Sequence, residues 1–174
     1  MVGKDTKIED SFLEVDYENG LIIRRPNGSR VVVMGSLGWA MLEHELVSTF
    51  VTGAAVILQR MGYSYGRYLG RVAKARKSMP VDLFETMLSF SKREGWGKLS
   101  LNGGDLNTGD ARIVVRGCFF CLHWKDSKTP VCHMLAGLIA GITDEISGET
   151  HRVLEERCIG RGDNVCEILV EKVH

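Results

Sequence analysis

The sequence predicts an α/β chain of the α+β type, an antiparallel β-sheet with several helices packed on one face. Three observations carry this. Short β-prone runs stand near both ends of the 174-residue chain, and apolar residues recur at helical spacing between Trp39 and Phe90. The period then changes after Gly95 and Gly97, where β-branched and aromatic residues crowd together. A chain of this length hides about 70% of its unfolded surface in one core. The expected organisation is a single domain over 1–174, with an N-terminal segment and hairpin (1–36), a helical part (37–95) and a sheet part with a cysteine-bearing end (96–174).

Leu21–Arg25 and Ser29–Met34 are joined through Pro26, Asn27 and Gly28, and an Asn-Gly pair is the strongest short hairpin signal. Trp39, Met41, Leu42, Leu46, Val47 and Phe50 then make one helical stripe facing a core, followed after Thr52 and Gly53 by a helix over Ala54–Met61. Gly62, Gly66 and Gly70 fall every four residues on a further helix, a smooth face where another backbone can come close. Pro80 opens an amphipathic helix carrying Leu83, Phe84, Met87, Leu88 and Phe90. Lys98–Leu101 and Ala111–Trp124 read as strands around the loop GGDLNTGD. Thr129 and Pro130 are an N-cap and first-turn pair for a helix reaching Ile142 or so, with Gly148 in its exit. His151–Arg157 and Asn164–Val173 close the chain as two strands.

Lys+Arg and Asp+Glu are equal at 22 each, so no long-range field draws the chain to nucleic acid or an anionic membrane. Arg67, Arg71 and Lys74 align on one helical face and continue into Arg76 and Lys77, which in a neutral chain reads as a solvated face. The longest apolar stretch, Leu46–Leu58, is too short to span a bilayer, and a polar N-terminus without a signal sequence places the chain in the cytoplasm. In that compartment five cysteines are thiols or metal ligands rather than disulfides.

Cys158 and Cys166 flank a seven-residue hairpin loop, a geometry open to buried core, disulfide or half of a zinc site. Cys132 falls at the third position of the helix opened by Pro130, where free amides favour a thiolate. Glu155 could add an oxygen, but residues three apart in a regular strand point to opposite faces, so Glu155 and Cys158 converge only through a bulge or turn. His123, His133 or His151 could stand in its place. Arg152, Arg157 and Arg161 lie close enough in sequence to offset the net charge of such a site. Cys118 and Cys121 form a CFFC pair inside a predicted strand, where their side chains would diverge, which argues against a redox or zinc role for them.

The stretch PVCHMLAGLIAGITDEISGETHRVLEERCIGRGDNVCEILV resembles the 4-vinyl reductase domain family: a cysteine opening a Gly/Ala-rich helix, a glutamate, a cysteine three residues on and another eight beyond. VILQRMGYSYGRYLG is similar to the family's helix ending in a Gly-Tyr-x-x-Gly turn, and EGWGKLSL to the strand entry after it. The resemblance implies a fold like the TRAPP trafficking subunits and a structural Zn²⁺ held by Cys132, Glu155, Cys158 and Cys166, beside a pocket for small hydrophobic molecules. With four protein ligands, the ion keeps no open position for catalysis.

Phe84, Met87, Phe90, Trp96, Phe119 and Val153 are the candidate lining of that pocket between helices and sheet. The function expected is a stand-alone sensory or ligand-binding domain for a small hydrophobic, aromatic-type molecule, dimeric through its helices and acting on a regulatory protein partner. The alternatives are a reductase of a vinyl group on a tetrapyrrole-like substrate and a thiol/zinc redox sensor. No GxGxxG after a strand and no GxxxxGK[ST] loop supports a nucleotide cofactor for the reductase.

Overall fold

A computed structural model describes residues 13–25, 28–75, 80–106 and 110–173; the side chains of residues 80–83 and 86 are left aside. The chain divides into two compact units, residues 1–35 and 36–174. The first is a three-stranded antiparallel sheet in the order β1-β2-β3, formed by β1 (Leu13–Asp16), β2 (Leu21–Arg24) and β3 (Ser29–Val31). The predicted hairpin is β2 and β3, with Gly28 at φ 67° donating its N–H to the Arg24 carbonyl at 3.0 Å. Pro26 and Asn27 lie outside the described residues. β1 escapes the sequence reading because LEVD is short and half polar.

In the second unit, α1 (Ser36–Phe50) meets α2 (Thr52–Ala75) at Val51, whose φ of 47° marks the corner. The two helices expected over Ala54–Met61 and the glycine stripe are one, and the Gly-Tyr-x-x-Gly stretch lies inside it rather than ending it. The reason is packing. A Cβ on Gly62 would lie 2.0 Å from the Met134 carbonyl oxygen and one on Gly66 would lie 2.2 Å from that of Leu138. Gly137 and Gly141 answer from the other helix, with 2.0 Å to the Gln59 oxygen and 2.2 Å to the Tyr63 oxygen. Reciprocal small residues let α2 lie backbone to backbone on α4 (His133–Ser147), and this contact outweighs the intrinsic helix cost of glycine, about 1 kcal/mol per residue. Tyr63 and Asp144 add a hydrogen bond of 2.9 Å, and Asp144 also holds both the backbone N–H and Nδ1 of the buried His151 at 2.9 Å.

After α3 (Pro80–Arg93), four strands form an antiparallel sheet in the order β4-β5-β7-β6. They are β4 (Lys98–Asp105), β5 (Asp110–Arg116), β6 (His151–Arg157) and β7 (Cys166–Lys172). Ile113, Val115, Val153, Ile168 and Val170 share one core with Leu135, Leu138, Ile139 and Ile142 of α4. The opposite face is polar: Arg112 pairs with Glu156 and Glu167. The antiparallel α/β reading therefore stands.

Two boundaries differ from expectation. The strand predicted over Ala111–Trp124 stops at Arg116, because Gly117 takes φ 60° and turns the chain out of the sheet into a short 3₁₀ turn, Phe119–Cys121. Helix α4 starts at His133 and runs to Ser147, so Cys132 is its N-cap and not its third residue. Gly148, at φ 79°, ends it in a left-handed cap. Arg67 and Arg71 of the predicted basic face both pair with Glu145, at 2.9 and 3.6 Å. Arg76 and Lys77 lie outside the described residues. Among the described residues, no helix is long and apolar enough to cross a membrane.

Candidate metal centre and the aromatic cluster beside it

Strands β6 and β7 create the first half of the site. His151, Val153 and Glu155 alternate onto the inner face, and regular alternation would send Cys158 outward. The ladder instead slips between Glu155 and Arg157, with Glu155 opposite Ile168 and Arg157 opposite Glu167. Glu156 is the extra residue, and Arg112 engages it on the outer face. This bulge turns Cys158 to the same side as Glu155. A tight loop follows, in which the N–H of Cys158 donates to Asp163 Oδ2 at 2.8 Å and that of Ile159 reaches the Cys166 sulfur at 3.4 Å.

Cys132, at the N-cap of α4, brings in a third sulfur. Its backbone N–H donates to Glu155 Oε2 at 2.9 Å, tying the helix start to the bulged strand. The other carboxylate oxygen, Oε1, is buried and has no hydrogen-bond partner. Donor atoms of Cys132, Glu155, Cys158 and Cys166 lie within 4.8 Å of one another. The sulfur of Cys132 is 4.0 Å from that of Cys158 and 3.7 Å from that of Cys166.

The second half departs from the sequence expectation. The 3₁₀ turn folds the CFFC segment back, so Cys118 and Cys121 converge instead of diverging as they would in a strand. Cys118 Sγ lies 3.5 Å from Cys132 Sγ, and Cys121 Sγ lies 3.4 Å from Cys166 Sγ. Cys118, Cys121, Cys132 and Cys166 form a second group with all donors within 4.8 Å. All five cysteines are buried and reduced. The glycine before CFFC is the available signal, since a left-handed residue ends a strand. The loop after Cys158 closes over this turn: Gly160 fits against Val131 and Trp124, and its carbonyl accepts from the Ser127 N–H at 2.9 Å.

A tetrahedral ion bonded to sulfur at about 2.3 Å separates its thiolates by roughly 3.8 Å. The sulfur contacts of 3.4–4.0 Å and the orphaned Glu155 oxygen fit such an ion. Without one, burial first and the Cys158 charge second push Glu155 up to about 8. The S–H group of Cys118, then those of Cys132, Cys158 and Cys166, hold Cys121 down as a thiolate. None of the three candidate histidines has a donor atom in either group. His151 faces Asp144, His123 meets Ser36 Oγ at 3.0 Å, and burial lowers the pKa of His133. The three arginines turn to acids of the hairpin: Arg152 to Glu171, Arg157 to Asp163 and Glu167, Arg161 to Asp163.

A buried carboxylate that the sequence reading passes over stands near the sulfurs. Glu43 of α1 is 2% exposed, and its Oε2 accepts from the Trp124 indole N–H at 3.0 Å. Burial raises it to about 7 against that hydrogen bond, with repulsion from Cys121 and Glu155 adding to the rise. A glutamate one turn from Trp39 in an apolar stripe is the clue.

The six residues named for a ligand pocket divide between two places. Phe84, Met87 and Val153 are buried in the main core. Phe90, Trp96 and Phe119 are half-buried members of an aromatic cluster with Trp39 and Phe120. Phe90 and Trp96 meet edge to face at 5.5 Å, Trp96 and Phe120 lie 6.4 Å apart, and Phe119 is 6.3 Å from Trp39. Two polar hollows of about 310 and 290 Å³ open elsewhere, one beside Ser100, Arg116 and Glu167, the other beside Tyr63, Arg67 and Glu145. Neither is lined by any of the six.

Comparison with known proteins agrees with this architecture. The phenol-responsive sensory domain of the transcription activator PoxR, solved with phenol, superimposes with a TM-score of 0.76 at 21% identity, covering 92% of this chain and 84% of that one. A vinyl-4-reductase family protein from Methanocaldococcus jannaschii gives 0.60 at 18% identity, covering 83% and 85%. A trafficking protein particle complex subunit 3 from Naegleria fowleri, covalently bound to palmitic acid, gives 0.62 at 16% identity over 80% and 95%. At these identities the likeness is one of fold, and it includes the expected TRAPP-subunit fold. An uncharacterized protein of M. jannaschii is 28% identical over 109 residues, 63% of this chain and 62% of its own length. The chain spans between 39% and 63% of the length of the curated relatives it matches. The family model of the 4-vinyl reductase domain matches residues 111–172, the stretch that holds all five cysteines together with Glu155. The resemblance to the 4-vinyl reductase family thus stands, and the chain carries a domain of that family over residues 111–172.

Proposed function

We propose that this chain is a sensory, ligand-binding domain whose small hydrophobic, aromatic-type ligand binds among Phe84, Met87, Phe90, Trp96, Phe119 and Val153, next to a structural Zn²⁺ held by Cys132, Glu155, Cys158 and Cys166. The observation that carries it is the meeting of those four donors, from a helix cap, a bulged strand and a strand start, within 4.8 Å in the interior. Zinc supplies a fixed tetrahedral crosslink there. The chain's residues position the rest: Glu156 makes the bulge, the Cys132 N–H orients Glu155, and Asp163 holds the Cys158 loop. The aromatic cluster joins this corner through Phe119 and Phe120, which lie between Cys118 and Cys121 in the chain. The fold shared with the phenol-responsive domain supports a small aromatic ligand.

Leu37, Met41, Leu42 and Phe50 of α1 and Val56 and Met61 of α2 are exposed, an apolar surface that suits a second copy of this chain and supports a homodimer. Ligand binding then changes how the cytoplasmic dimer meets a regulatory protein partner, without direct contact to nucleic acid.

The test measures zinc per chain on untagged protein, with thermal unfolding before and after chelation, and follows tryptophan fluorescence during titration with phenol. About one zinc per chain, a large drop in Tm on its removal and a saturable fluorescence change support the reading. Zinc-free protein of unchanged Tm, indifferent to phenol, sinks it. A thiol/zinc redox sensor is the second reading, favoured by the sulfur pairs at 3.4 and 3.5 Å. In it, peroxide oxidises two thiolates to a disulfide, is itself reduced to water, and zinc leaves. Zinc release and thiol loss under mild peroxide, in a 2:1 ratio of thiols to peroxide consumed, identify that case.

A further inference from the structure

Six potential donors surround a position that needs four. Cys132 and Cys166 belong to both groups, Glu155 and Cys158 complete one, and Cys118 and Cys121 complete the other. Cys132 and Cys166 are also the central sulfurs, each within interaction range of all the other thiols, whereas Cys118 is not among the neighbours of Cys158. The cluster is therefore two tetrads sharing an edge. The sulfur contacts of the second tetrad, 3.5, 3.4 and 3.7 Å, are as close to a tetrahedral edge of roughly 3.8 Å as those of the first. CFFC is not placed there by general core packing alone. The turn after Gly117 takes both sulfurs inward, and the Gly160 loop closes over Cys121.

We propose that Cys118 and Cys121 form a second ligand set with Cys132 and Cys166, an all-sulfur site that takes a softer divalent ion such as Cd²⁺, while Zn²⁺ takes the set containing Glu155 and Cys158. The proposal rests on the reading of this corner as a metal site and extends it to the residues left without a role. The chemistry is ligand softness: four thiolates suit a polarizable ion, whereas a carboxylate in the set suits the borderline zinc. One ion occupies the centre at a time, because the shared edge supplies two ligands to either position. The set in use is felt outside the centre, since the turn bearing Cys118 and Cys121 also carries Phe119 and Phe120 into the aromatic cluster.

The experiment is X-ray absorption on the full chain loaded with Zn²⁺ or Cd²⁺, with metal content and competition titrations on two double variants. In the wild type, zinc is expected to show three sulfurs and one oxygen, and cadmium four sulfurs, with one ion per chain in both. Cys118→Ser/Cys121→Ser should weaken Cd²⁺ binding by more than about tenfold and leave Zn²⁺ nearly unchanged, and Glu155→Gln/Cys158→Ser should do the reverse. Three sulfurs and one oxygen around cadmium, or two ions per chain, overturns the proposal even if neither variant folds, because both are read on the wild type. If the wild type binds neither ion, the metal reading of the site fails as well. If zinc binds and Cys118→Ser/Cys121→Ser leaves both ions unchanged, only the second set fails.

Discussion

Helices α1 and α4 are both 15 residues long and both rich in apolar side chains, yet they live in different surroundings. Ten residues of α4 are buried, including Leu135, Leu138, Ile139 and Ile142, because α2 lies on one side and the sheet core on the other. In α1 the buried residues are Ala40 and Glu43, while Leu37, Met41, Leu42 and Phe50 stand more than half exposed. The stripe read from the sequence as facing the core is thus largely on the outside. Periodicity reports that a helix has an apolar face; it does not say what covers that face.

The sharpest way to break the contrast is through the glycines that seat α4. Gly137→Ala would place a Cβ 2.0 Å from a backbone oxygen that cannot swing away, and should cost about 3 kcal/mol or more in denaturant unfolding. Gly53→Ala, at the start of α2 with its nearest contact at 3.8 Å, should be neutral or slightly stabilising.

The buried acid of α1 gives the next effect. Glu43 is held at about 7 in the folded protein against 4.5 as a free carboxyl, so folding favours its protonated form. Its contribution is full below pH 4.5 and is lost as pH rises to about 7, which amounts to about 2–3 kcal/mol. Glu43→Gln should flatten this part of the stability curve and be more stable than wild type above about pH 8. A variant curve parallel to the wild type would show that Glu43 is not the titrating group.

The exposed face of α1 should separate stability from assembly. Met41→Ser and Leu42→Ser should change unfolding free energy by less than about 0.5 kcal/mol per site while raising the dissociation constant of the proposed dimer in analytical ultracentrifugation. The smallest effect is expected at Glu145, the partner of Arg67 and Arg71 across α2 and α4. Glu145→Ala should cost under about 1 kcal/mol, and less in high salt, because both arginines are about half exposed.

Much of the metal centre is legible because its signal is local in type if not in space. Cysteines and a glutamate at fixed offsets around a helix start and a terminal hairpin announce ligand chemistry, and the need for a bulge between Glu155 and Cys158 follows from strand alternation alone. CFFC misleads for an equally physical reason: GCFFCLHW has the composition of a strand, and the one residue that contradicts it is Gly117. Glu43 escapes notice because a glutamate in a helix is ordinarily solvated, and its burial depends on Trp124, far away in sequence.

By itself the sequence determined the α/β class, the helical and strand periods, the close-packing role of the glycine stripe and the donors Cys132, Glu155, Cys158 and Cys166 as a set. These follow from side-chain chemistry and from repeats within a few residues. Tertiary structure decided the rest: which helix meets the glycines, which apolar face stays outside, and that Cys118 and Cys121 join the other three sulfurs. Those outcomes depend on contacts between segments distant in the chain, where the close approach of backbones and the closing of the sheet, not local preference, fix each side chain's neighbours.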